Sequence, residues 1–357
     1  PLETLFPYTT LFRSYMKSIP QGGEILATIK DVAKKAGLSV STVSRYLNHH
    51  PYISEDKRKR IQAAMAELDY TPSSVATQLR SKKGTMIGIL VSRIANPFFS
   101  HLVDSIEKSA RSHGYNVLVM QTYDDKKAET NMLEMLKQQV IAGLIMCSIE
   151  GDPKNIEAYR EYGPIVLCNE EIPGSDLPQV FTNQEAASFE ATEYLINKGY
   201  KKIAYCTGGT LTRGGHGNSR TEGFERALNE HQLPMKIDWI FKQVHTIEDG
   251  KQVADKLLAL PEENRPNAVF TSSDEVASGI LQRYLEQGKQ VPEDLAIMGF
   301  DNQPFTGMLA VPLTTIAQPI EALGREATNW LIARMEEKDY RVDTSELVLK
   351  LIERKSA

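Results

Sequence analysis

The sequence predicts an α/β protein in which a small helix-turn-helix head and a hinge helix precede a core of parallel β-sheets. Two observations lead to this prediction. Residues 28–48, TIKDVAKKAGLSVSTVSRYLN, read as two short helices around a glycine. From Met86 onward, short apolar runs alternate with amphipathic stretches, which is the pattern of βαβ units, and the number of runs requires two sheets.

The first helix of the head is predicted from its spacing and its ends. Thr28 followed by Asp31 is a capping pair. A hydroxyl can accept hydrogen bonds from the first free N–H groups of the helix, and the negative charge of an acid is stabilised at the positive helix end. Gly37 supplies the turn, and Ser39 can cap the second helix. The apolar residues at i, i+3, i+4 and i+7 share one face: Ile29, Val32, Ala33 and Ala36.

The second helix is expected to place Val43 and Leu47 inward and a polar face outward. That face suits a helix laid in the major groove of DNA, where Ser and Arg can bond base edges. The plainer alternative is a helical hairpin whose polar face is only solvated. The residues of the polar face are Ser41, Ser44, Arg45 and Asn48.

These residues resemble the head of the lactose-repressor (LacI/GalR) family of bacterial transcription regulators, and the resemblance runs from Thr28 to about Lys355. Within it, residues 48–59, NHHPYISEDKRK, are similar to the catabolite-control branch of Gram-positive bacteria. The resemblance implies a homodimer on pseudo-palindromic double-stranded operator DNA. The residues expected to contact DNA are Thr28, Val40, Ser41, Thr42, Ser44, Arg45, Asn48, Tyr52, Ser74, Leu79 and Arg80.

A third helix capped by Ser54 is followed by a short segment that reads as a hinge helix over 72–84. Thr71 can cap it, Pro72 suits its first position, and Gly84 ends it. A plain interdomain linker is the alternative. The resemblance implies that such a helix folds on the operator and that Leu79 wedges between base steps in the minor groove.

The charge distribution separates the head from the core. The chain carries a net charge of −5, but residues 28–83 hold 11 Lys/Arg and 5 Asp/Glu, whereas residues 84–357 have a net charge of −11. A basic head on an acidic body steers the head toward phosphates.

Other features bound the class of protein. The cysteines at 147, 168 and 206 each end an apolar run without metal-ligand spacing, so buried thiols in a cytoplasmic protein are expected. His49 and His50 are predicted to lie in a solvated loop. The sequence contains no apolar run of 18 residues, so no membrane span is predicted. Residues 1–27 are expected to be a non-native or disordered leader, because PLETLFPYTTLFRS looks like translated adapter sequence. We expect no cofactor and no metal.

The core strands are predicted at the apolar runs Met86–Val91, Asn116–Met120, Gly143–Met146, Ile165–Cys168, Ile203–Cys206, Ala268–Thr271 and Ala296–Phe300. The resemblance implies a periplasmic-binding-protein-like core of two lobes, between which the chain crosses three times. The expected domains are a head at 28–71, a hinge at 72–84 and a core at 85–357, with an N-terminal lobe of about 85–184 and 316–340 and a C-terminal lobe of about 185–315 and 341–355.

Open parallel sheets bind ligands beyond the carboxyl ends of their strands, where polar and aromatic residues stand in this sequence. The resemblance implies a sugar pocket there. We expect Arg220 and Asp274 to clamp ligand hydroxyls, and a guanidinium and a carboxylate can also pair across the empty cleft. Phe98 and Phe99 are expected to stack on the sugar ring. Both phenylalanines could instead be core residues. The residues expected to bind the effector are Asn96, Phe98, Phe99, Asn169, Arg220, His245, Asp274 and Gln318.

The predicted function is therefore a DNA-binding repressor of carbohydrate-utilisation genes, controlled by a sugar or sugar phosphate. Two alternatives stay open at this point. One is control by a phosphorylated carrier protein, and the other is a transport-type sugar-binding protein, against which the basic head argues. No enzyme motif such as G-x-x-x-x-G-K-[ST] or G-x-S-x-G occurs.

Overall fold

The computed structural model describes residues 27–47, 52–71, 85–209 and 218–357. The chain divides into two compact units between residues 83 and 84. Residues 1–26 of the predicted leader, residues 48–51 and the predicted hinge helix at 72–84 lie outside the described residues. None of the helices in the ranges just given is long and apolar enough to cross a membrane.

The head consists of three helices: α1 (Ile29–Ala36), α2 (Val40–Leu47) and α3 (Glu55–Glu67). Each contributes to one small core, and Val32, Val43 and Ile61 have no exposed surface. The i, i+3, i+4 spacing read from the sequence is what brings these side chains together.

The turn between α1 and α2 depends on Gly37 and on a side chain from α3. Gly37 has φ +62°, a left-handed conformation that suits glycine because no Cβ is present. The Arg60 guanidinium donates to the carbonyl oxygens of Ala36 at 2.6 Å and Gly37 at 3.2 Å, which satisfies carbonyls at the end of α1. At the other end, the Asp31 carboxylate accepts hydrogen bonds from the backbone N–H and the hydroxyl of Thr28, and these bonds lower the pKa of Asp31.

The N-terminal lobe is a five-stranded parallel sheet in the order β2-β1-β3-β4-β5. Helices cover both of its faces: α4 and α11 pack on one, and α5 packs on the other. Its elements are β1 (Met86–Val91), α4 (Pro97–Ser112), β2 (Asn116–Gln121), α5 (Lys126–Lys137), β3 (Gly143–Met146), α6 (Pro153–Ala158), β4 (Ile165–Cys168), β5 (Gln179–Val180) and α11 (Ile320–Met335).

The C-terminal lobe is a four-stranded parallel sheet in the order β7-β6-β8-β9, with α7 and α8 on one face and α9 and α10 on the other. A short antiparallel pair, β10 with β11, lies beside it. Its elements are α7 (Gln184–Asn197), β6 (Ile203–Cys206), α8 (Asn218–Glu230), β7 (Ile240–Phe241), α9 (Ile247–Ala259), β8 (Ala268–Thr271), α10 (Asp274–Glu286), β9 (Ala296–Met298), β10 (Thr315–Ala317) and β11 (Lys350–Ile352).

The chain crosses between the lobes three times: between β5 and α7, between β10 and α11, and between α11 and β11. Ile316 packs in the core of the C-terminal lobe, so the second crossing lies just beyond the predicted boundary at about 316. The three cysteines are buried and unpaired, in agreement with the expectation of buried thiols.

The left-handed Gly37 gives the first test. Gly37→Ala should destabilise the head by about 1–2 kcal/mol, because an L-residue is strained at this φ and its Cβ would lie 2.7 Å from Arg60 Nη2. Hydrogen exchange of peptides from α1 and α2 in the full chain should quicken about tenfold. Gly114→Ala is the matched control. Gly114 also has a positive φ, but the space around it is open, and it belongs to the core domain at 85–357 and not to the head. Unchanged exchange in the head of the Gly37 variant would contradict this account of the turn.

Candidate functional site

Helix α2 presents a polar face on the side opposite the head core. Ser41 and Arg45 are exposed, Thr42 and Ser44 are half-buried, and Val43 is fully buried. The Ser39 hydroxyl accepts from the backbone N–H of Thr42 at 3.2 Å, as predicted for the cap of this helix. An exposed guanidinium one turn after small hydroxyl side chains is the arrangement that can reach base edges.

The other residues expected to contact DNA divide into two groups. Val40 is 37% exposed and Tyr52 is 95% exposed, so two apolar side chains of the head project into solvent. Thr28 is also exposed, at the start of α1. Asn48, Ser74, Leu79 and Arg80 lie outside the described residues.

In the core, one hydrogen-bonded network joins residues from both lobes. It contains Asn169, which follows β4, Gln184 at the start of α7, Arg220 on α8, Asp301 after β9, and Gln318 between β10 and α11. We call these five residues the Gln184 network. Three of them, Asn169, Arg220 and Gln318, were predicted from the sequence to bind the effector, and the structure brings these three together.

Arg220 is held by the groups around it. Its Nε donates to Gln184 Oε1 at 2.8 Å, its Nη1 donates to the Ser272 carbonyl at 2.8 Å, and its guanidinium lies 3.8 Å from the centre of the Phe300 ring. Stacking on an aromatic face leaves the edge of a guanidinium free to donate further hydrogen bonds in its own plane. Arg220 is therefore pre-oriented for a ligand hydroxyl or carboxylate.

Asp301 acts on the charge of Arg220 more strongly than Glu170 does, and the sequence analysis did not select it. Burial raises the pKa of Asp301 to about 6, whereas the charge of Arg220 and the hydrogen bond from Gln318 Nε2, at 2.6 Å, act in the opposite direction. Asp301 has φ +107° and follows Gly299 and Phe300, beyond the end of β9. Its position just after a buried parallel strand is the feature from which it could have been found.

The predicted pairing of Arg220 with Asp274 is corrected by this geometry. Asp274 is fully buried, and its carboxylate accepts from the Thr315 hydroxyl at 2.6 Å and from the Gln303 backbone N–H at 2.7 Å. Burial raises the pKa of Asp274 well above its usual value, and Asp301 acts in the same direction. Asp274 thus ties the start of α10 to β10 and to the loop after β9.

The NPFF segment is also placed differently from the expectation. The side chain of Asn96 accepts from the Phe98 backbone N–H at 2.9 Å and caps α4. Phe98 is 4% exposed and belongs to the core of the N-terminal lobe, as the alternative reading of it as a core residue expects. Phe99 is half-buried and meets Phe98 edge-to-face at 5.2 Å. Phe99 is the ring of this pair that has surface left for a ligand.

His245 follows β7 and faces charged residues of the N-terminal lobe. Its ring lies against Gly208, where an added Cβ would come within 2.9 Å of Cε1. Burial lowers the pKa of His245, and the charge of Arg93 acts in the same direction. Arg93 forms an ion pair with Asp124 at 2.5 Å. A neutral imidazole at this point can both donate and accept a hydrogen bond.

The strand ends of the two lobes therefore face one another. Asn169 of the N-terminal lobe bonds Gln184 of the C-terminal lobe, and Arg93 acts on His245. We call the space between these ends the strand-end cleft. The polar groups at these strand ends are amides, a guanidinium and a carboxylate, which can form paired hydrogen bonds with adjacent hydroxyl groups. In the described part of the chain, no cluster of three or more His, Cys, Asp or Glu could hold a metal ion.

Two family models match the chain. Residues 28–73 match the model described as bacterial regulatory proteins, lacI family, and residues 84–353 match that described as periplasmic binding proteins and sugar binding domain of LacI family.

Curated relatives and solved structures agree with these models. The NTD biosynthesis operon regulator NtdR of Bacillus subtilis is 37% identical over 302 residues, 85% of this chain and 91% of NtdR. A LacI family transcriptional regulator from Lactobacillus casei with bound sucrose is 38% identical, with a TM-score of 0.73 over 76% of this chain and 99% of that one. A lac repressor dimer bound to operator and the anti-inducer ONPF is 26% identical, with a TM-score of 0.76 over 92% of this chain and 98% of that one.

The raised pKa of Asp301 predicts how stability depends on pH. The pKa of Asp301 is about 6 in the folded protein, above its usual value of 3.8, so the folded state binds this proton at a higher pH than the unfolded state does. Binding the proton stabilises the folded state, and the free energy of unfolding therefore rises as the pH falls through 6. Between pH 7 and pH 5 the wild type should gain roughly 1 kcal/mol relative to Asp301→Asn.

Denaturant unfolding of both proteins at several pH values measures this difference. The charge of Asp301 raises the pKa of Asp274, so Asp301→Asn also changes the titration of Asp274, and the measured difference belongs to the pair of acids. Parallel stability curves for the two proteins would show that Asp301 is not the buried acid described here.

Proposed function

Because the chain belongs to the LacI family of bacterial regulatory proteins, we propose that it is a homodimeric repressor of carbohydrate-utilisation genes, released from its operator by a sugar in the strand-end cleft. The family is one of transcription regulators and not of enzymes. The observation that carries the proposal is the Gln184 network, which presents amide and charged groups from both lobes at one place.

DNA binding is assigned to the basic head. The outward face of α2, with Ser41 and Arg45, enters the major groove, while the exposed Val40 offers a methyl group suited to thymine. In a homodimer, two such helices meet successive major grooves of a pseudo-palindrome. The lac repressor dimer on its operator supports this arrangement. A protein that acts on operator DNA works in the cytoplasm.

The effector is assigned to the class of sugars. A pyranose or furanose ring carries adjacent hydroxyl groups, which pair with the Arg220 guanidinium, the Asn169 amide and the Asp301 carboxylate. Phe99 provides the apolar ring face. The related regulator from Lactobacillus casei, which holds sucrose in one structure and glucose in another, supports this class of ligand.

The proposed control follows from the two-lobe construction. A sugar that contacts both lobes favours the closed arrangement, and closure moves the N-terminal lobes that carry the hinge segments. The ligand shifts this equilibrium only by the difference in its affinity for the two states.

Control by a phosphorylated carrier protein is the alternative within the family. It is favoured by the similarity of residues 48–59 to the catabolite-control branch, of which residues 52–59 are described. The two forms of control differ in what releases the repressor from DNA, so one assay separates them.

The DNA-reading role of Arg45 is tested by substitution. Operator sequences are first selected from a random DNA pool with the wild-type protein. Arg45→Ala should weaken operator binding by about 1–3 kcal/mol and remove discrimination at one base pair, because a bidentate base contact is lost. Fluorescence anisotropy with single-base operator variants measures both effects. Arg160→Ala, an exposed arginine of the core, is the control. Retained discrimination at every operator position would refute the assignment of α2.

The effector class is tested with sucrose and glucose on the full chain. A sugar present at 100 times its Kd should stabilise the core by about 2.7 kcal/mol and release the selected operator. Thermal unfolding and anisotropy measure these two effects. If no free sugar stabilises the protein, and a phosphorylated carrier protein changes operator binding, the alternative form of control replaces the one proposed.

A further inference from the structure

Gln184 lies where the chain first enters the C-terminal lobe, directly after the crossing at 181–183. It is the first residue of α7 and is half-buried. Its side chain lies within hydrogen-bond distance of four residues. The amide Nε2 is 2.8 Å from Thr182 Oγ1, 3.1 Å from Gln318 Oε1 and 3.2 Å from Asn169 Oδ1, and Oε1 accepts from Arg220 Nε at 2.8 Å.

These four partners come from different parts of the core. Thr182 stands in the first crossing, and Gln318 stands in the second, 134 residues away from Gln184. Asn169 ends a strand of the N-terminal lobe, and Arg220 belongs to the C-terminal lobe. One amide therefore joins two crossings to two residues of the strand-end cleft.

The amide nitrogen has more acceptors than protons. A primary amide carries two N–H groups, whereas three acceptors lie around Gln184 Nε2, so they cannot all be fully satisfied at once. The contact to Asn169 is the longest of the three. A ligand hydroxyl that donates to Asn169 Oδ1 can take that place, and both amide protons then go to the two crossings.

On the basis of the proposed function, we propose that Gln184 is the positioning residue that couples sugar binding in the strand-end cleft to the two crossings. It orients Arg220 through Oε1 and ties Thr182 to Gln318 through Nε2. Gln318 in turn donates to Asp301, so the second crossing is held by an acid that also acts on the charge of Arg220. Occupancy of the cleft redistributes these hydrogen bonds and thereby favours one arrangement of the lobes.

The test uses Gln184→Met, which keeps the length of the side chain and removes all of these hydrogen bonds. Sucrose and glucose serve as ligands, and the release factor is the ratio of operator Kd with and without saturating sugar. We expect the sugar Kd to rise about tenfold, because Arg220 loses its orienting acceptor. We expect the release factor to fall below about a fifth of the wild-type value. Gln282→Met is the matched control, since Gln282 is exposed on α10.

The release factor separates coupling from a merely structural role. If Gln184 only shaped the pocket, saturating sugar would restore the full release factor despite the weaker Kd, and the proposal would be overturned. Gln318→Met should reproduce the loss, and the double variant should lose no more than either single one, because both changes break one connection.

If neither sugar binds the wild-type protein, that result counts against the proposed effector class and not against the role of Gln184. A measurement without ligand then tests the role of Gln184. Hydrogen exchange of the full-chain Gln184→Met variant should quicken in peptides that cover 181–186 and also in peptides that cover 316–322. Faster exchange confined to 181–186 would show that Gln184 does not connect the two crossings, and would overturn the proposal.

Discussion

The contact between the two lobes of the core depends on two charged side chains, Arg220 and Asp301. Arg220 is fixed by a ring face, a carbonyl and the Gln184 amide, and the negative charge of Asp301 favours its charged form. A buried charge without a partner is strongly unfavourable, so the position of each of these groups constrains the other. The crossings at 181–183 and near Gln318 are held by the same network, so the proposed effector site and the connection between the lobes share one set of contacts.

Asp274 shows why a second acid is needed close by. Its carboxylate accepts from Thr315 and Gln303, and thereby holds the start of α10, the strand β10 and the loop that carries Asp301. An added Cβ at Gly299 would lie 2.1 Å from this carboxylate, so only glycine allows the close approach. Asp274 positions the loop after β9, whereas Asp301 accepts from Gln318 and acts on the charge of Arg220.

The parallel strands could be predicted closely because their side chains are buried on both faces of a sheet, which produces unbroken apolar runs. Met86–Val91, Gly143–Met146, Ile165–Cys168, Ile203–Cys206 and Ala268–Thr271 were found with the observed bounds. The predicted strand Ala296–Phe300 ends two residues earlier in the structure. The short strands β5, β7, β10 and β11 were missed, because two or three residues give no periodicity and pair only where the tertiary fold brings an edge to them.

The sequence by itself determined the three-helix head, its capped helices and its left-handed Gly37, because local spacing and backbone preference decide these features. It also located Arg220, Asn169 and Gln318, since each carries a match to a family pattern or follows a buried strand. Only the tertiary structure decided that Asp301 acts on the charge of Arg220, that Phe98 turns into the core while Phe99 keeps exposed surface, and that Gln184 bonds both crossings. These outcomes depend on contacts between residues far apart in the chain, which local sequence patterns do not encode.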